Sequence, residues 1–135
     1  MKVVFDTNVL VAALVFPGGR GEQALLRILE ERDELCLSRA ILDELLSVLA
    51  RKFARDAEEL ARAAVLLGEI SILVKPARRV KALRDDPDNR ILECAVAAGA
   101  DAIVTGDRAM LALGAYAGVR ILRLSVYLDM DQRPG

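Results

Sequence analysis

The opening stretch of the chain is the feature that most constrains its fold. Val3 to Phe5 form a short β-branched and aromatic run, Asp6-Thr7-Asn8 interrupts it, and a second apolar run follows. The first run is typical of a buried strand in a parallel sheet. Ligands of open α/β sheets bind beyond the carboxyl ends of the strands, so Asp6 is predicted to face a crevice. A helix N-cap is the competing interpretation, and this segment alone favours it.

The same alternation of apolar strands and amphipathic helices continues along the chain. It predicts an α/β fold, with a central parallel sheet that carries helices on both faces. After the loop at 17–21, the predicted elements are a helix at 22–32, a strand at 34–37, a helix from 38 to 53, a helix at 56–67, a strand at 71–74, a helix that begins near Pro87 and ends at Gly99, a strand at 102–105, a short helix to 113, a strand at 119–124 and a final turn or short helix at 125–129.

The composition limits the chemistry that the chain can perform. Hydrophobic residues make up 54% of the sequence but aromatic residues only 4%, which argues against aromatic platforms for stacked bases. The net charge of −1 gives no global attraction to nucleic acid, so any such binding must be local. The chain has no histidine, which excludes Ser-His-Asp triads, histidine bases and histidine-ligated zinc. Catalysis, if present, must therefore use carboxylates.

The cysteines and the hydropathy pattern indicate a compartment. Cys36 and Cys94 lie in apolar surroundings without metal-ligand spacing, and are predicted to be buried thiols in a reducing compartment. We identify no signal peptide, and no apolar run reaches the roughly 18 residues needed to span a membrane. The expectation is a soluble cytoplasmic protein without a membrane partner.

Three further acids occupy positions comparable to that of Asp6. Glu44 lies at the margin of the buried stripe of the 38–53 helix, although a glutamate on the helix flank is an equally good interpretation. Asp86 before Pro87 is predicted to be an N-cap, so that Asp88 heads the apolar stripe and Glu93 points away from it. Asp107 follows the strand at 102–105, as Asp6 follows the first strand.

Four carboxylates at one sheet edge would require a cation. Like charges in a poorly solvated site cannot all stay ionised unless a positive ion neutralises them. An all-oxygen ligand set without histidine or cysteine selects Mg²⁺ or Mn²⁺, ions that serve in-line displacement at phosphorus. The densest basic cluster, whose default interpretation is a solvated face, lies just before Asp88 and comprises Arg78, Arg79, Lys81 and Arg84.

Four motifs in this order resemble those of the PIN-domain ribonucleases, most nearly the VapC-like toxins of prokaryotic type II toxin-antitoxin systems. They are VFDTNV at 4–9, ILDELLSVL at 41–49, DPDNRILECA at 86–95 and IVTGD at 103–107. The resemblance covers nearly the whole chain, as a single PIN-like domain at 1–130 with a loose tail at 131–135. It implies a three-layer α/β/α fold and a Mg²⁺- or Mn²⁺-dependent endoribonuclease, often dimeric and often inhibited by a small antitoxin protein.

The resemblance also implies roles for individual residues. Asp6, Asp88 and Asp107 would hold the metal, and Glu44 would position or deprotonate the attacking water. Asn8 and Thr105 match polar positions that orient the carboxylates or the water. Members often carry a further aspartate where this chain has Ala109, so we expect one firmly held ion and a weaker second. RNA phosphates would be held by the basic residues Arg78, Arg79, Lys81, Arg84 and Arg90.

Two other interpretations remain open from the sequence. Asp6 could be the nucleophile of an aspartyl-phosphate phosphatase, but Asn8 stands where a second acid is usual. A PIN-like scaffold could instead bind RNA or an antitoxin without turnover, which the alanine at 109 favours. The RNA target, the antitoxin, the oligomeric state and toxicity in the host are not decided by the sequence.

Overall fold

The fold is built around one sheet. A computed structural model describes residues 1–130, and the tail predicted at 131–135 lies outside the described residues. The strands are β1 (Lys2–Phe5), β2 (Glu34–Ser38), β3 (Ser71–Val74), β4 (Ala102–Thr105), β5 (Ala115–Tyr116) and β6 (Val119–Arg123). The helices are α1 (Thr7–Val15), α2 (Arg20–Leu29), α3 (Arg39–Phe53), α4 (Ala57–Ile70), α5 (Asp86–Ala98), α6 (Arg108–Leu113) and α7 (Leu124–Leu128).

The strand order places a switch point beside β1. The order is β3-β2-β1-β4-β6-β5, and every pairing is parallel except that of β5 with β6. The chain winds from β1 to β2 and β3 on one side, and then crosses to β4 and β6 on the other. A crevice is expected where the winding reverses, outside the carboxyl ends of β1 and β4. The predicted α/β/α sandwich with a central parallel sheet is confirmed.

The short edge strand β5 was not predicted. It joins β6 through a two-residue hairpin turn, in which Ala117 and Gly118 have φ angles of 50° and 83°. Two central residues with positive φ define a turn that matches the twist of a hairpin. A strand of two residues shows no alternation pattern, so its pairing became visible only in three dimensions.

The helix ends follow local chemistry. The side chains of Asp6, Ser38 and Asp56 accept bonds from the first turns of α1, α3 and α4. Gly99 ends α5 in the left-handed region, as predicted. Within residues 1–130 no single helix is long and apolar enough to cross a membrane, and α1 with α2 meets that criterion only jointly, across a 94° bend.

The prediction that Asp86 caps α5 is wrong by one residue. Asp85 is the N-cap, although its side chain makes no capping bond, and Asp86 is the first helical residue. The reason is that the Asp85 carbonyl oxygen accepts the backbone N–H groups of Asp88 and Asn89, at 3.1 and 3.3 Å. The shift turns Asp86 toward α3, which matters for the site described below.

The core is aliphatic, as the composition required. Residues Val3 to Phe5 and Ala102 to Thr105 are at most 1% exposed, so both central strands are buried on both faces. Cys36 and Cys94 are free and buried, as predicted, and burial raises the pKa of both thiols. Gly21 lies where α2 crosses α1, and a Cβ there would stand 2.7 Å from the Ala13 nitrogen.

A buried ionic cluster ties α2 to α7. Asp33 accepts a 2.6 Å hydrogen bond from the Tyr127 hydroxyl and a 3.1 Å bond from Arg27 Nε. The Arg27 guanidinium also lies 4.6 Å from the centre of the Tyr127 ring. Burial alone would raise the pKa of Asp33, but these bonds hold it below its ordinary value. The Asp33 carboxylate therefore has a structural role, since its partners hold it in the buried cluster away from the candidate site.

Candidate active site

Asp6 and Asp107 leave the carboxyl ends of neighbouring strands. The backbone N–H of Asp6 donates to the Val104 carbonyl oxygen at 2.9 Å, so the β1–β4 ladder extends to the first residue of the site. Both residues also cap helices, because Asp6 Oδ1 accepts from Asn8 N at 3.4 Å and Asp107 Oδ2 accepts from Met110 N at 2.9 Å. The two interpretations of Asp6 are thus compatible: it is an N-cap and a carboxylate at the switch point.

Thr105 links these two aspartates. Its hydroxyl is fully buried, donates to Asp6 Oδ2 at 2.6 Å and accepts from the Asp107 backbone nitrogen at 2.9 Å. One side chain therefore fixes both the rotamer of Asp6 and the turn that presents Asp107. Asn8 contributes its backbone N–H to Asp6, and the residue itself is exposed. The Asn8 side chain makes no hydrogen bond to another residue of the 1–130 range, so its orienting role stays a prediction.

Asp88 completes an electrostatically coupled group of three carboxylates. It lies half-buried in the first turn of α5, whereas Asp85 and Asp86 are exposed. The pKa of Asp88 is raised to about 6, first by burial and then by the negative charges of Asp107, Asp6 and Asp85, in that order. The negative charges of three acids that lie far apart in the sequence therefore act on one another at the carboxyl edge of the sheet.

The pKa of Asp6 is also raised. Burial is the largest cause, since the residue is only 5% exposed, and the negative charge of Asp107 adds to it. The hydrogen bonds from Thr105 and Asn8 oppose this shift without cancelling it. A bound cation is favoured most where nearby carboxylates resist ionisation, as the buried Asp6 and the half-buried Asp88 do.

Glu44 faces the same region from α3. It is half-buried and borders a cleft of about 170 Å³. Thr7, the residue after Asp6, also lines this cleft, together with Asp86 and Arg90 of α5. Sequence reasoning missed Asp86, because the one-residue error at the start of α5 placed it before the helix. Glu44 thus lies beside the three aspartates rather than among them.

The donor set fits a hard divalent cation in its chemistry. All of the candidate ligands are carboxylate oxygens, and Asp107 Oδ1 makes no hydrogen bond within residues 1–130. In that part of the chain, however, no three acidic or cysteine side chains are arranged closely enough to hold an ion by themselves. Mg²⁺ usually keeps several waters and is held by one or two carboxylates together with substrate phosphates. The arrangement suits that mode of binding rather than a closed protein cage.

The prediction that Glu93 points away from the buried face is wrong. Glu93 is 6% exposed, accepts the Val80 backbone N–H at 2.8 Å and pairs with Arg90 Nη2 at 3.0 Å. The reason is that the irregular segment 75–85 folds back over α5 and covers a helix face that the periodicity treats as solvent-exposed. Asn89 secures the same segment, since its amide accepts from Leu83 N and donates to Leu83 O.

This segment carries the predicted basic cluster. Arg78, Arg79, Lys81 and Arg84 are all exposed, and none forms an ion pair with the described acidic residues. Arg90 differs from them, because it is half-buried and its guanidinium is engaged by Glu93 and, at 3.4 Å, by the Val80 carbonyl. Arg90 therefore braces the segment and has less freedom to bind phosphate than the other four.

A second cleft, of about 330 Å³, adjoins the cleft that Glu44 borders, and we call it the basic cleft. Arg78 and Arg79 border it together with Arg39 and Lys75, and Arg90 lines both clefts. Sequence reasoning missed Arg39 and Lys75, because they lie outside the cluster along the chain and meet it only where β2 and β3 end side by side. Arg39 also pairs with Asp43 at 3.0 Å, in an exposed and hence weak interaction.

These features belong to a recognisable class of proteins. The chain is a member of the PIN domain family, whose family model matches residues 2–109, a range that includes all four predicted site acids. An uncharacterized protein of Methanocaldococcus jannaschii is 31% identical over 117 residues, which cover 84% of this chain and 75% of that protein. The predicted membership in the PIN-domain family is confirmed.

Two solved structures share the fold. VapBC2 of Rickettsia felis, crystallised with a DNA fragment from its promoter, superposes with a TM-score of 0.65 at 14% identity, covering 91% of this chain and 98% of that one. VapC20 of Mycobacterium tuberculosis, described as a Sarcin-Ricin loop cleaving toxin, gives 0.61 at 17% identity, covering 87% and 98%. At these identities the likeness establishes the three-layer architecture.

Proposed function

We propose that this protein is a Mg²⁺- or Mn²⁺-dependent endoribonuclease that acts as the toxin of a toxin-antitoxin pair. The observation that carries the proposal is that Asp6 and Asp107 follow neighbouring strands at the β1–β4 switch point and are joined by the Thr105 hydroxyl, with Asp88 in the first turn of α5. Membership in the PIN domain family and a fold shared with two VapC proteins support it.

In this proposal each acid has a distinct role. Asp6 and Asp107 hold the ion, with Thr105 fixing their relative position. Asp88 completes the ligand set directly or through water. Glu44, set to the side in its own cleft, positions or deprotonates the attacking water. The bound ion supplies charge neutralisation at the phosphoryl oxygens and a water of lowered pKa.

The basic cleft supplies the attraction for RNA that the net charge of −1 cannot. Arg78 and Arg79 at the basic cleft, with Lys81 and Arg84 further along the segment, are exposed cations without an acidic partner among residues 1–130, and they hold phosphates on the β3 side of the site. Removing two of these charges, as in an Arg79→Gln, Lys81→Gln protein, should flatten the salt dependence of RNA binding. An unchanged slope would exclude this assignment.

We propose the protein partners of this chain by analogy with its structural neighbours. One structural neighbour is a VapBC complex, and by analogy we propose an antitoxin partner for this chain. We further propose that the antitoxin covers the site acids and that the toxin forms a homodimer. Co-purification of the product of an adjacent small reading frame, with loss of RNA cleavage in the complex, would support the pairing. A chain that is active alone and binds no such product would be a solitary RNA-processing enzyme.

The central test is RNA cleavage with and without Mn²⁺ or Mg²⁺. Asp6→Asn and Asp107→Asn should each abolish cleavage while leaving the protein folded. Glu44→Gln should slow cleavage strongly, and Asp43→Asn is its matched control, because Asp43 is the preceding residue of α3 but lies on the exposed side paired with Arg39. Wild-type cleavage by Asp6→Asn or Asp107→Asn would contradict the proposal.

A non-catalytic scaffold is the second candidate, and the open spacing of the carboxylates favours it. Calorimetric titration with Mn²⁺ separates the two, because an inert scaffold need not bind the ion, whereas the enzyme must bind it in a manner that Asp107→Asn weakens. The aspartyl-phosphate phosphatase makes a different prediction, namely release of inorganic phosphate from small phosphomonoesters without RNA cleavage.

A further inference from the structure

A third cleft lies beyond the basic one and has no role in the proposed reaction. Its volume is about 490 Å³, within the roughly 300–1,000 Å³ usual for ligand sites. One wall is the basic segment, with Lys75, Arg78 and Arg79, and these residues also border the basic cleft. The two clefts therefore share a wall, and Arg90 lines both the basic cleft and the cleft of Glu44.

The other walls of this third cleft are apolar and aromatic. Val96 of α5, which is 46% exposed, forms one side with Ala97. Tyr116 and Ala117 of the β5–β6 hairpin form the other. Tyr116 is half-buried, and its hydroxyl makes no hydrogen bond within residues 1–130. A flat apolar surface with one polar group, rimmed by cations, matches a ligand that has both an aromatic ring and a phosphate.

Both walls are held in place by the fold. Tyr116 pairs with Val119 next to the tight turn, and the Ile121 backbone N–H bonds to the Gly114 carbonyl at 3.0 Å. The turn keeps Ala117 at a φ of 50°, which a non-glycine residue adopts only at a cost. On the opposite wall, Glu93 anchors the basic segment through Val80. A rigid cleft loses little entropy when a ligand enters.

We propose that this cleft is a nucleotide subsite for the RNA substrate, in which an unpaired base packs against Tyr116 and Val96. The adjoining phosphates would contact Arg78, Arg79 and Lys75. Specific recognition of single-stranded RNA commonly stacks splayed bases on aromatic side chains or guanidinium planes. The inference rests on the proposed function, and it names where the enzyme would distinguish one RNA from another.

The wall shared with the basic cleft favours RNA over an acidic peptide as the occupant. The β5–β6 hairpin lies at the amino edge of the sheet, whereas Asp6 and Asp107 lie at its carboxyl edge. A single polynucleotide that follows the basic cleft can therefore place one phosphate at the two aspartates and a base several nucleotides away beside Tyr116. The low aromatic content argues against extended stacking platforms, but one tyrosine at the rim of this cleft is enough for one base.

The test is RNA binding in EDTA, measured by fluorescence anisotropy with short labelled single-stranded RNAs. Tyr116→Ala should weaken binding about tenfold, since stacking of one base contributes roughly that much. Tyr116→Phe keeps the ring and should bind like wild type. Phe16→Ala is the matched control, because Phe16 is 56% exposed and packs only on Phe53 among the described aromatic residues. It should leave binding unchanged.

Two further measurements sharpen the test. An Arg78→Ala, Arg79→Ala protein should flatten the log–log salt dependence by about 1.4, the value for two lost phosphate contacts on a single strand. Wild type and Tyr116→Ala should bind an abasic oligonucleotide equally. Thermal unfolding of each variant establishes that it is folded.

The outcomes separate this inference from the proposed function. Equal RNA affinity of Tyr116→Ala and wild type, or an equal loss in Phe16→Ala, would overturn the subsite, and so would binding of an acidic peptide in place of RNA. Because the assay contains no metal and needs no turnover, a tyrosine effect without any RNA cleavage would leave the subsite standing and reject the nuclease. RNA cleavage at the same rate in wild type and Tyr116→Ala would reject the subsite and leave the proposed nuclease activity standing.

Discussion

Replacing Asp88 by asparagine should stabilise the metal-free protein while abolishing its activity. The pKa of Asp88 is raised from 3.8 to about 6, first by burial and then by the charges of Asp107, Asp6 and Asp85. A difference of this size corresponds to about 3 kcal/mol of unfavourable ionisation in the folded state. Asp88 is only half-buried, and solvent screening reduces the expected gain to about 1 kcal/mol.

The gain in stability on replacing Asp88 by asparagine must increase with pH. Between pH 3.8 and about 6 the folded protein binds more protons at Asp88 than the unfolded chain does. The contribution of Asp88 to the free energy of unfolding therefore falls as pH rises through this window. Asparagine cannot ionise, so the variant lacks this fall. The two proteins should have equal stability at the acidic end of the window, and the variant should be more stable above it.

The assay is urea or thermal unfolding in EDTA across this pH range. A gain of about 1 kcal/mol should raise the melting temperature by about 4 °C at neutral pH. Adding Mn²⁺ should stabilise wild type more than the variant, because a ligand stabilises the state that binds it and the variant lacks one of the three carboxylates. Asp43→Asn is the charge-matched control and should change stability by less than about 0.5 kcal/mol at any pH. Destabilisation by Asp88→Asn, or a gain independent of pH, would refute the reasoning.

Three other predictions test the framework around the site. Thr105→Val should lower the free energy of unfolding by about 1–3 kcal/mol in chemical denaturation, because it removes the bond to Asp6 and orphans a backbone N–H, whereas Thr105→Ser should restore most of it. Gly21→Ala should cost about 1–3 kcal/mol by forcing α1 and α2 apart at Ala13, and a melting temperature equal to that of wild type would show that the helices yield freely. Asn89→Ala should free the basic segment from α5, which hydrogen exchange at that segment would report as lost protection.

Much of the fold follows from local patterns. The apolar runs at 3–5 and 102–105, each followed by an aspartate, place Asp6 and Asp107 at the ends of buried strands. Parallel strands with helical crossovers bring those ends to one edge. Glycine at position 99 predicts the end of α5, since this residue adopts the left-handed conformation without cost. These elements were predictable because each depends on neighbours within a few residues.

The errors fall where distant segments meet. Glu93 is polar and off the apolar stripe of α5, yet it is buried, because the segment at 75–85 folds over it. The pairing of β5, and with it the placement of Tyr116, depends on a two-residue contact with β6. Asp33 pairs with the Arg27 guanidinium and the Met1 ammonium group and accepts a hydrogen bond from Tyr127, and no periodicity links these residues.

The sequence by itself determined the alternating architecture, the aliphatic core and a restriction to carboxylate chemistry, because composition and short-range periodicity are properties of the chain alone. Only the tertiary structure decided how far apart the site carboxylates lie, that Thr105 joins Asp6 to Asp107, and that Tyr116 lies in a cleft that shares a wall with the basic cleft. Those properties depend on distances between side chains far apart in the chain, and packing sets such distances only when all of the elements have come together.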